Sequence, residues 1–314
     1  MLNPLSFVPI KIKMYYFRPD LEIDGEIVNT ELAIGTAFLY LFQEKTYLIT
    51  NWHNVTGRRA DDHTIISRRS AIPNFIRAKV PYVTCTCENG KISVRWIEHS
   101  ICLYQDSLLD LPQHSLWYEH QAYRSKVDVA VIPMESNPDL LPENSIWHGR
   151  EYPLKTIIQY SEDSPKLAVC SANHPGLGLQ NLLLEPGLDV FILGFPIGMS
   201  GGAEFSVWKR GSIASEPSLD VDQLPKILID TATRKGMSGS PVYAVPRFPY
   251  SMLEDQDENG TYKQFMGMAE RLIGIYSGRV GMGAFKAQLG VVWKTSVIDE
   301  IIEGATVGKS SFFL

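Results

Sequence analysis

Short segments of about strand length recur along the whole chain, and each is bounded by Gly, Pro, Asn or Asp. They are alternating or continuously apolar, and they are rich in β-branched and aromatic residues. These segments are GTAFLYLF, TYLITNW, KISVRWI, VDVAVIPM, DVFILGF, KILIDTA, LIGIYSG and LGVVWK. Such composition favours strands over short buried helices. The chain is therefore predicted to be predominantly β.

Two strand-like runs in GTAFLYLFQEKTYLITN flank a polar turn at Gln43, Glu44 and Lys45. Because a short polar turn between two such runs is typical of antiparallel pairing, this segment predicts a β-hairpin. Longer polar stretches predict surface excursions with some local structure. They cover residues 57–80, 104–126, 135–182 and 244–270.

The clearest helix signal lies near the end of the chain, in KTSVIDEIIEG. Thr295 or Ser296 can cap the helix, apolar residues recur with helical spacing, and Gly304 marks a stop. The pattern predicts a short C-terminal helix near 296–303.

Length and charge limit the kinds of protein that this chain can be. With 314 residues, it can form two domains or one two-lobed unit with a substantial core. Its 45% hydrophobic and 20% charged residues are typical of a globular protein rather than a disordered or fibrous one. A net charge of −6 argues against nucleic acid or an anionic membrane surface as the main partner.

Neither a targeting signal nor a membrane segment is apparent in the sequence. Pro4, Pro9, Lys11 and Lys13 interrupt the apolar start of the chain, so a signal peptide is not indicated. No later segment approaches the roughly 20 apolar residues that cross a bilayer. We therefore expect a cytoplasmic protein with no membrane partner.

Four cysteines, at positions 85, 87, 102 and 170, are too few and too scattered for a disulfide scaffold. Cys85 and Cys87 face the same way if they lie on a strand, but a zinc site would need two further ligands nearby. We therefore expect reduced core thiols, with no metal site and no cofactor.

The segment GMSGSPVY places Ser238 between glycines, after the strand-like KILIDTA and the basic pair Arg234 and Lys235. Glycines allow a tight loop in which main-chain N–H groups converge near the hydroxyl, as acyl transfer requires. Taken alone, the same segment also fits a Gly/Ser turn that precedes a strand.

Two further segments hold residues that could assist such a serine. His53 lies at the end of a strand-like run in YLITNWHNVTG, before a segment that fits a single helical turn. Asp128 lies at the start of the apolar strand in SKVDVAVIPM, where a carboxylate is costly unless it has a partner. Each residue also has a plainer interpretation, as a structural histidine and as a salt bridge or turn cap.

In the order His53, Asp128 and Ser238, the chain resembles the trypsin-like (chymotrypsin-fold) serine peptidases. The matching segments are TNWHNV, DVAVI and GMSGSP, with support from GTAFL, LGFP and LIGIYSG, over about residues 30–300. Because these motifs occur together, in order and each at a strand edge, they argue against coincidence.

The resemblance implies an all-β fold of two antiparallel six-stranded β-barrels with a short C-terminal helix. Residues 1–150 would form the N-terminal barrel, with His53 and Asp128, and residues 151–314 would form the C-terminal barrel, with Ser238. The expected activity is that of a serine endopeptidase, which cleaves a polypeptide substrate through an acyl-enzyme intermediate.

The same resemblance implies roles for single residues. His53 would be the general base, Asp128 would orient it, and the N–H groups of Gly236 and Ser238 would form the oxyanion hole. The implied substrate pocket has Ala232 at its base. Its other residues are Thr233, Lys235, Ser277, Gly278 and Arg279. Because the base position holds no acid, a substrate Arg or Lys would lack a counter-charge, and we expect small apolar residues first and acidic ones second.

The sequence departs from the secreted digestive enzymes, in which an Asp before the nucleophile pairs with an N-terminus freed by cleavage. Met237 holds that position here, and no IVGG-like activation sequence occurs near the start. The chain is therefore closer to the bacterial-type trypsin-like peptidases, which mature without that ion pair. The stretch between Val242 and Leu272 is unusually long and is expected to shape or cover the cleft.

Two other functions fit parts of the pattern. A catalytically silent member of the same fold would act as a peptide-binding module through its cleft and loops. An esterase on an α/β-hydrolase fold would carry the order Ser, Asp, His and more helices, which this chain lacks. Because a constantly active endopeptidase would be hazardous in the cytoplasm, we expect a regulatory protein partner or a narrow substrate range.

Overall fold

The computed structural model confirms a predominantly β protein built from two six-stranded antiparallel units. The residues that it describes are 3–23, 25–43, 45–86, 91–105, 114–134, 172–173, 181–246, 250–256, 260–267, 269–279 and 288–314. Within these residues, no helix is long and apolar enough to cross a membrane.

The N-terminal unit is a single antiparallel sheet. Its strands are β1 Pro9–Ile23, β2 Glu26–Phe42, β3 Lys45–Thr50, β4 Phe75–Thr86, β5 Lys91–Cys102 and β6 Ala130–Pro133. They are ordered β5-β4-β1-β2-β3-β6. The predicted hairpin is confirmed as β2 and β3, which pair as far as Phe42 and Lys45.

An irregular segment, residues 114–118, joins the two edges of this sheet. On one side, the Leu116 N–H donates to the Leu103 carbonyl at 2.9 Å, just beyond the end of β5. On the other side, Tyr118 exchanges two hydrogen bonds with Val131 of β6, at 2.7 and 3.1 Å. The predicted N-terminal barrel is therefore present, and its closure is made outside the regular strands.

The C-terminal unit is a closed barrel with the order β10-β13-β14-β9-β8-β7. Its strands and an inserted hairpin follow in chain order. They are β7 Asp189–Gly194, β8 Val207–Ile213, β9 Lys226–Asp230, β10 Pro241–Ala244, the hairpin strands β11 Tyr250–Gln256 and β12 Tyr262–Phe265, β13 Arg271–Arg279 and β14 Leu289–Lys294. Closure by the pairing of β10 with β7 confirms the predicted second barrel.

Two α-helices are present among the described residues, α1 Trp52–Thr56 and α2 Thr295–Gly304. Helix α2 confirms the predicted C-terminal helix and extends one residue beyond it at each end. The predicted caps were wrong in detail, because Lys294 occupies the N-cap position. Gly304 is still helical, and the left-handed conformation of Ala305, with φ of +39°, ends the helix.

Two predicted surface excursions contain regular strands. Strand β4 begins within 57–80, and the hairpin of β11 and β12 lies within 244–270. Strands β1, β8 and β10 were also absent from the strand-like segments singled out in the sequence. Most of the 135–182 excursion and the predicted domain boundary at residue 150 lie outside the described residues, so the domain limits stay a prediction.

Alternate side chains of β2 serve two different cores. Ala37 and Leu39 belong to the core of the N-terminal barrel, whereas Phe38 and Tyr40 belong to a second core. This second core also contains Leu193 of the C-terminal barrel, so it lies between the two barrels. Because successive strand residues face opposite ways, one face of β2 fills its barrel and the other forms the inter-barrel contact.

Each end of the chain packs on the opposite barrel. Near the N-terminus, Phe7 makes an edge-to-face contact with Phe205, which lies between β7 and β8, with ring centroids 5.1 Å apart. In the C-terminal helix, Asp299 accepts a 2.7 Å hydrogen bond from the Tyr40 hydroxyl of β2. The two barrels are thus joined by the chain termini as well as by their shared core.

Candidate active site

His53 lies in α1, directly after β3. Gly57 ends this single turn with φ of +66°, and its N–H donates to the His53 carbonyl at 3.0 Å. Strand β3 pairs with β6 so that Thr50 lies opposite Ala130. Because Asp128 precedes Ala130 by two residues, this register brings Asp128 beside His53.

The Asp128 carboxylate is buried, with its side chain only 8% exposed, and it accepts three hydrogen bonds. His53 donates two of them, from the main-chain N–H to Oδ1 at 2.9 Å and from ring Nδ1 to Oδ2 at 2.7 Å. The Ser277 hydroxyl donates the third to Oδ2. A carboxylate at Nδ1 favours the tautomer that carries its proton there, so Nε2 is left as an acceptor.

Ser238 lies in the loop between β9 and β10, and glycines on both sides set the shape of this loop. Gly236 has φ of +93° and Gly239 has φ of +87°, conformations that other residues rarely adopt. A Cβ atom on Gly239 would lie 1.9 Å from the Thr36 carbonyl oxygen. The loop can therefore approach the N-terminal barrel this closely only with glycine at that position.

Thr36 of β2 ties the serine loop to the N-terminal barrel. Its N–H donates to the Ser238 carbonyl at 2.8 Å, and its hydroxyl donates to the Gly236 carbonyl at 2.8 Å. The Thr36 carbonyl in turn accepts a 2.9 Å hydrogen bond from the Thr50 hydroxyl, at the end of β3. Since His53 follows Thr50 by three residues, one short network positions both the histidine and the serine.

The Ser238 hydroxyl donates to the Ser277 carbonyl at 3.3 Å. In the part of the chain that the structure describes, it makes no hydrogen bond to the His53 ring. The structure therefore brings His53 and Asp128 into contact, and it links Ser238 to them through Ser277, whose hydroxyl bonds Asp128. Hydrogen bonds between a nucleophilic hydroxyl and its general base are often long in structures without substrate, and they shorten when substrate binds.

The two main-chain N–H groups predicted to form an oxyanion hole belong to buried Gly236 and partly exposed Ser238. Neither the Gly236 N–H nor the Ser238 N–H donates a backbone hydrogen bond to another described residue. By contrast, the Gly236 carbonyl is held by Thr36. Because main-chain N–H groups usually find a partner, two N–H groups without one in the ranges that the structure describes are consistent with the predicted role.

A cavity of about 410 Å³ lies beside the serine loop. Its lining includes Lys209, Ala232, Thr233, Arg234, Met237 and Arg279. The Thr233 hydroxyl is hydrogen-bonded to the hydroxyl of buried Tyr276. Burial raises the pKa of Tyr276 above its usual value, although the Thr233 hydrogen bond and the Arg279 charge oppose the rise.

Three of the predicted pocket residues, Ala232, Thr233 and Arg279, line this cavity, and the other three do not. Lys235 is exposed, and its carbonyl accepts a hydrogen bond from the Ile197 N–H at 2.5 Å. The Ser277 hydroxyl bonds the Asp128 carboxylate, and nothing lies within 4 Å of where a Gly278 side chain would begin.

Sequence reasoning missed two cationic residues of the cavity. The position of Arg234 in the cavity could have been predicted from the sequence, because this residue stands four positions before Ser238 in the same loop. The position of Lys209 could not have been predicted in this way, because Lys209 lies in β8, whose sequence has no strong strand pattern. Lys209 is placed in the barrel by the pairing of β8 with β7, in which it lies opposite Ile192.

No metal centre is formed by the described side chains. Within the described ranges, no group of three or more His, Cys, Asp or Glu residues is arranged to hold an ion. Cys102 is buried, as predicted for a core thiol. Cys87, Cys170 and the side chain of Cys85 lie outside the described part of the chain.

The chain is similar to a large number of solved structures, two of which are described here, and both similarities are low. No family description and no curated protein matches the chain. One structure is Rv3671c from M. tuberculosis H37Rv, a serine-to-alanine mutant in an inactive form, with 15% identity, a TM-score of 0.40, and coverage of 96% of this chain and 88% of that one. The other is Rv3671c protease in an inactive form, with 15% identity, a TM-score of 0.38, and coverage of 95% and 89%. At this degree of similarity, neither structure bears on the activity of this chain.

Proposed function

We propose that this protein is a serine endopeptidase, with Ser238 as nucleophile, His53 as general base and Asp128 as the residue that orients the histidine. The observation that carries the proposal is the double contact of the buried Asp128 carboxylate with His53. The His53 side chain is 21% exposed, so its ring can still reach a bound substrate. A histidine that is held in one tautomer and remains accessible fits a general base.

The chemistry requires a base because a serine hydroxyl is a poor nucleophile at neutral pH. Nε2 of His53 takes the proton as Ser238 Oγ attacks the peptide carbonyl, and the Asp128 carboxylate stabilises the imidazolium that forms. His53 then gives the proton to the leaving amine. Water, activated by the same histidine, hydrolyses the ester on Ser238, and Asp128 stays ionised throughout.

One rearrangement precedes this attack. The Ser238 hydroxyl has to turn from the Ser277 carbonyl towards the His53 ring. Rotation of the Ser238 side chain about its Cα–Cβ or Cβ–Oγ bond would redirect the proton. The hydrogen bond that is given up is long, at 3.3 Å, so its loss costs little.

The N–H groups of Gly236 and Ser238 would bind the oxyanion that develops on the substrate carbonyl. Their lack of a backbone partner among the described residues supports this role. Removing one such donor typically costs about 3 kcal/mol of transition-state stabilisation. Because both donors belong to the main chain, their positions depend on the glycines of the loop.

Labelling with a fluorophosphonate probe, which reacts with an activated serine, tests the proposal. The wild-type protein should label, and Ser238→Ala should abolish both labelling and peptidase activity, with His53→Ala nearly as severe. Ser240→Ala is a matched control in the same loop, because the buried Ser240 hydroxyl has no hydrogen-bond partner in the described part of the chain. Undiminished labelling of Ser238→Ala would rule out the assignment.

A second candidate function is a catalytically silent peptide-binding module on the same fold. The observation in its favour is the hydrogen bond of Ser238 to Ser277 in place of one to His53. Such a protein would bind peptides in the cleft without hydrolysing them. It would also leave the probe unreacted, so the same labelling experiment separates the two functions.

A further inference from the structure

The cavity beside the serine loop is strongly cationic. Lys209 from β8, Arg234 from the serine loop and Arg279 from β13 all line it, and no carboxylate is among its described lining residues. Lys209 and Arg279 are only partly exposed, so their charges are screened less than those of surface residues. The cavity therefore presents an excess of positive charge to whatever enters it.

These three cations have no partner of opposite charge in the part of the chain that the structure describes. Other cations of the same barrel do have one. The paired cations are Arg210 with Asp189 at 2.7 Å, Lys226 with Asp222 at 2.9 Å and Lys294 with Asp220 at 2.6 Å. Because cations in a partly enclosed site gain most from an opposite charge, an anion is the ligand that this cavity favours.

The cavity also adjoins the chain segments on both sides of the Ser238 hydroxyl. Met237, the residue before Ser238, is one wall. Arg279, two residues beyond Ser277, belongs to another, and the Ser277 carbonyl accepts the Ser238 hydrogen bond. The two chain segments that flank the hydroxyl thus both continue into the cavity.

We infer that this cavity receives an acidic side chain, Glu or Asp, from the substrate residue before the scissile bond. The inference rests on the proposed peptidase function. A guanidinium such as that of Arg279 can bind a carboxylate through two parallel hydrogen bonds, and a lysine adds a point charge. Small Ala232 leaves room in a cavity whose volume of about 410 Å³ lies within the usual range of ligand pockets. A small apolar side chain would leave these cations without a partner, and a substrate lysine would be repelled.

Matched quenched peptides that differ only before the scissile bond, with Glu, Asp, Gln, Ala or Lys, test this inference. We expect kcat/KM for Glu to exceed that for the isosteric Gln by about tenfold or more, the range of a hydrogen bond to a charged group. Added NaCl should reduce this ratio, because salt screens charge. The wild-type protein alone is sufficient for this measurement.

Variants identify the residues responsible. Lys209→Met and Arg279→Met should each lower the Glu-to-Gln ratio several-fold. Arg210→Gln is the matched control, since it removes a positive charge from the next position of β8 on the opposite face, and the ratio should not change.

Fluorophosphonate labelling separates failure of this inference from failure of the proposed function. If Ser238 labels but Gln, Ala or Lys peptides are cleaved as well as the Glu peptide, or no peptide is cleaved, the cavity is not an acidic-residue pocket. If Ser238 does not label and no peptide is cleaved, the peptidase function fails and the inference fails with it.

Discussion

The Ser277 hydroxyl donates a hydrogen bond to the Asp128 carboxylate, although 149 residues separate them in the chain. Asp128 belongs to the N-terminal barrel and Ser277 to the C-terminal one. The carboxylate that orients His53 is therefore itself hydrogen-bonded to a residue of the opposite barrel. Correct docking of the barrels becomes a condition for correct placement of the histidine.

Ser277→Ala should lower kcat about tenfold with little change in KM, because hydrogen bonds to charged groups are worth about 1.5–3 kcal/mol. The Asp128 carboxylate would keep its two bonds from His53, so the protein should still fold. Steady-state kinetics on one peptide measure both constants. Ser277→Thr retains a hydroxyl and should recover part of kcat, whereas equal losses in both variants would argue against a positioning role.

The intact chain should react with the fluorophosphonate probe as fast as any trimmed form. Met237 stands before the nucleophile, is 1% exposed, and packs in the apolar core of the C-terminal barrel. It offers no charge to a newly formed amino terminus. Labelling rates followed by intact-mass spectrometry check this, and labelling confined to a proteolysed species would contradict it. Met237→Asp should destabilise the protein, since it would bury a carboxylate in this core.

Gly239→Ala should destabilise the protein by about 3 kcal/mol or more and abolish activity. The added Cβ would meet the Thr36 carbonyl oxygen at 1.9 Å, and φ of +87° is unfavourable for alanine. Urea unfolding gives the change in the free energy of unfolding.

Gly304→Ala is the control for this substitution. Gly304 is helical, and a Cβ there would meet nothing closer than 3.5 Å. Alanine should therefore be neutral or slightly stabilising at that position. If both variants had similar free energies of unfolding, the serine loop would have room for a Cβ atom beside the Thr36 carbonyl.

Asp299→Asn should stabilise the protein at neutral pH. Burial raises the pKa of the Asp299 carboxyl above its usual 3.8, the Tyr40 hydrogen bond opposes the rise, and the charges of Glu303 and Glu300 add to it. Asparagine keeps an acceptor for the Tyr40 hydroxyl without the partly buried charge. Thermal melts of both proteins between pH 3 and pH 7 measure the effect.

The sign of the pH dependence follows from proton binding. Between the usual carboxyl pKa and the raised one, the folded state binds more protons at Asp299 than the unfolded state does. The contribution of Asp299 to stability is therefore greatest below the usual pKa and falls as pH rises through the folded pKa. The higher stability of the asparagine variant should therefore disappear towards pH 3. A stability difference that grows towards pH 3 would contradict this account.

Much of the fold could be predicted from the sequence because apolar alternation and turn residues act locally. The pairing of β2 with β3 and the helix α2 follow from such patterns. Strand β1 was missed although buried Ile10 and Ile12 alternate with Lys11 and Lys13. The lysines that argue against a signal peptide also fit a half-buried strand, and the two interpretations are compatible.

The site could be predicted only as far as neighbouring strands position it. Asp128 meets His53 because β3 and β6 pair, and both residues lie at strand ends. The direction of the Ser277 side chain and the arrival of Lys209 at the cavity depend on how β13 and β8 sit in a closed barrel. No local pattern carries that information, so the predicted pocket included Ser277 and omitted Lys209.

The exchange of chain ends between the barrels has a consequence for how the cleft can move. Phe7 anchors the start of the chain on the C-terminal barrel, and Asp299 anchors the last helix on the N-terminal one. Any hinge-like rotation of one barrel against the other would have to loosen both anchors together. In the proposed peptidase, selection among substrates would then depend more on the side chains that line the cleft than on its opening and closing.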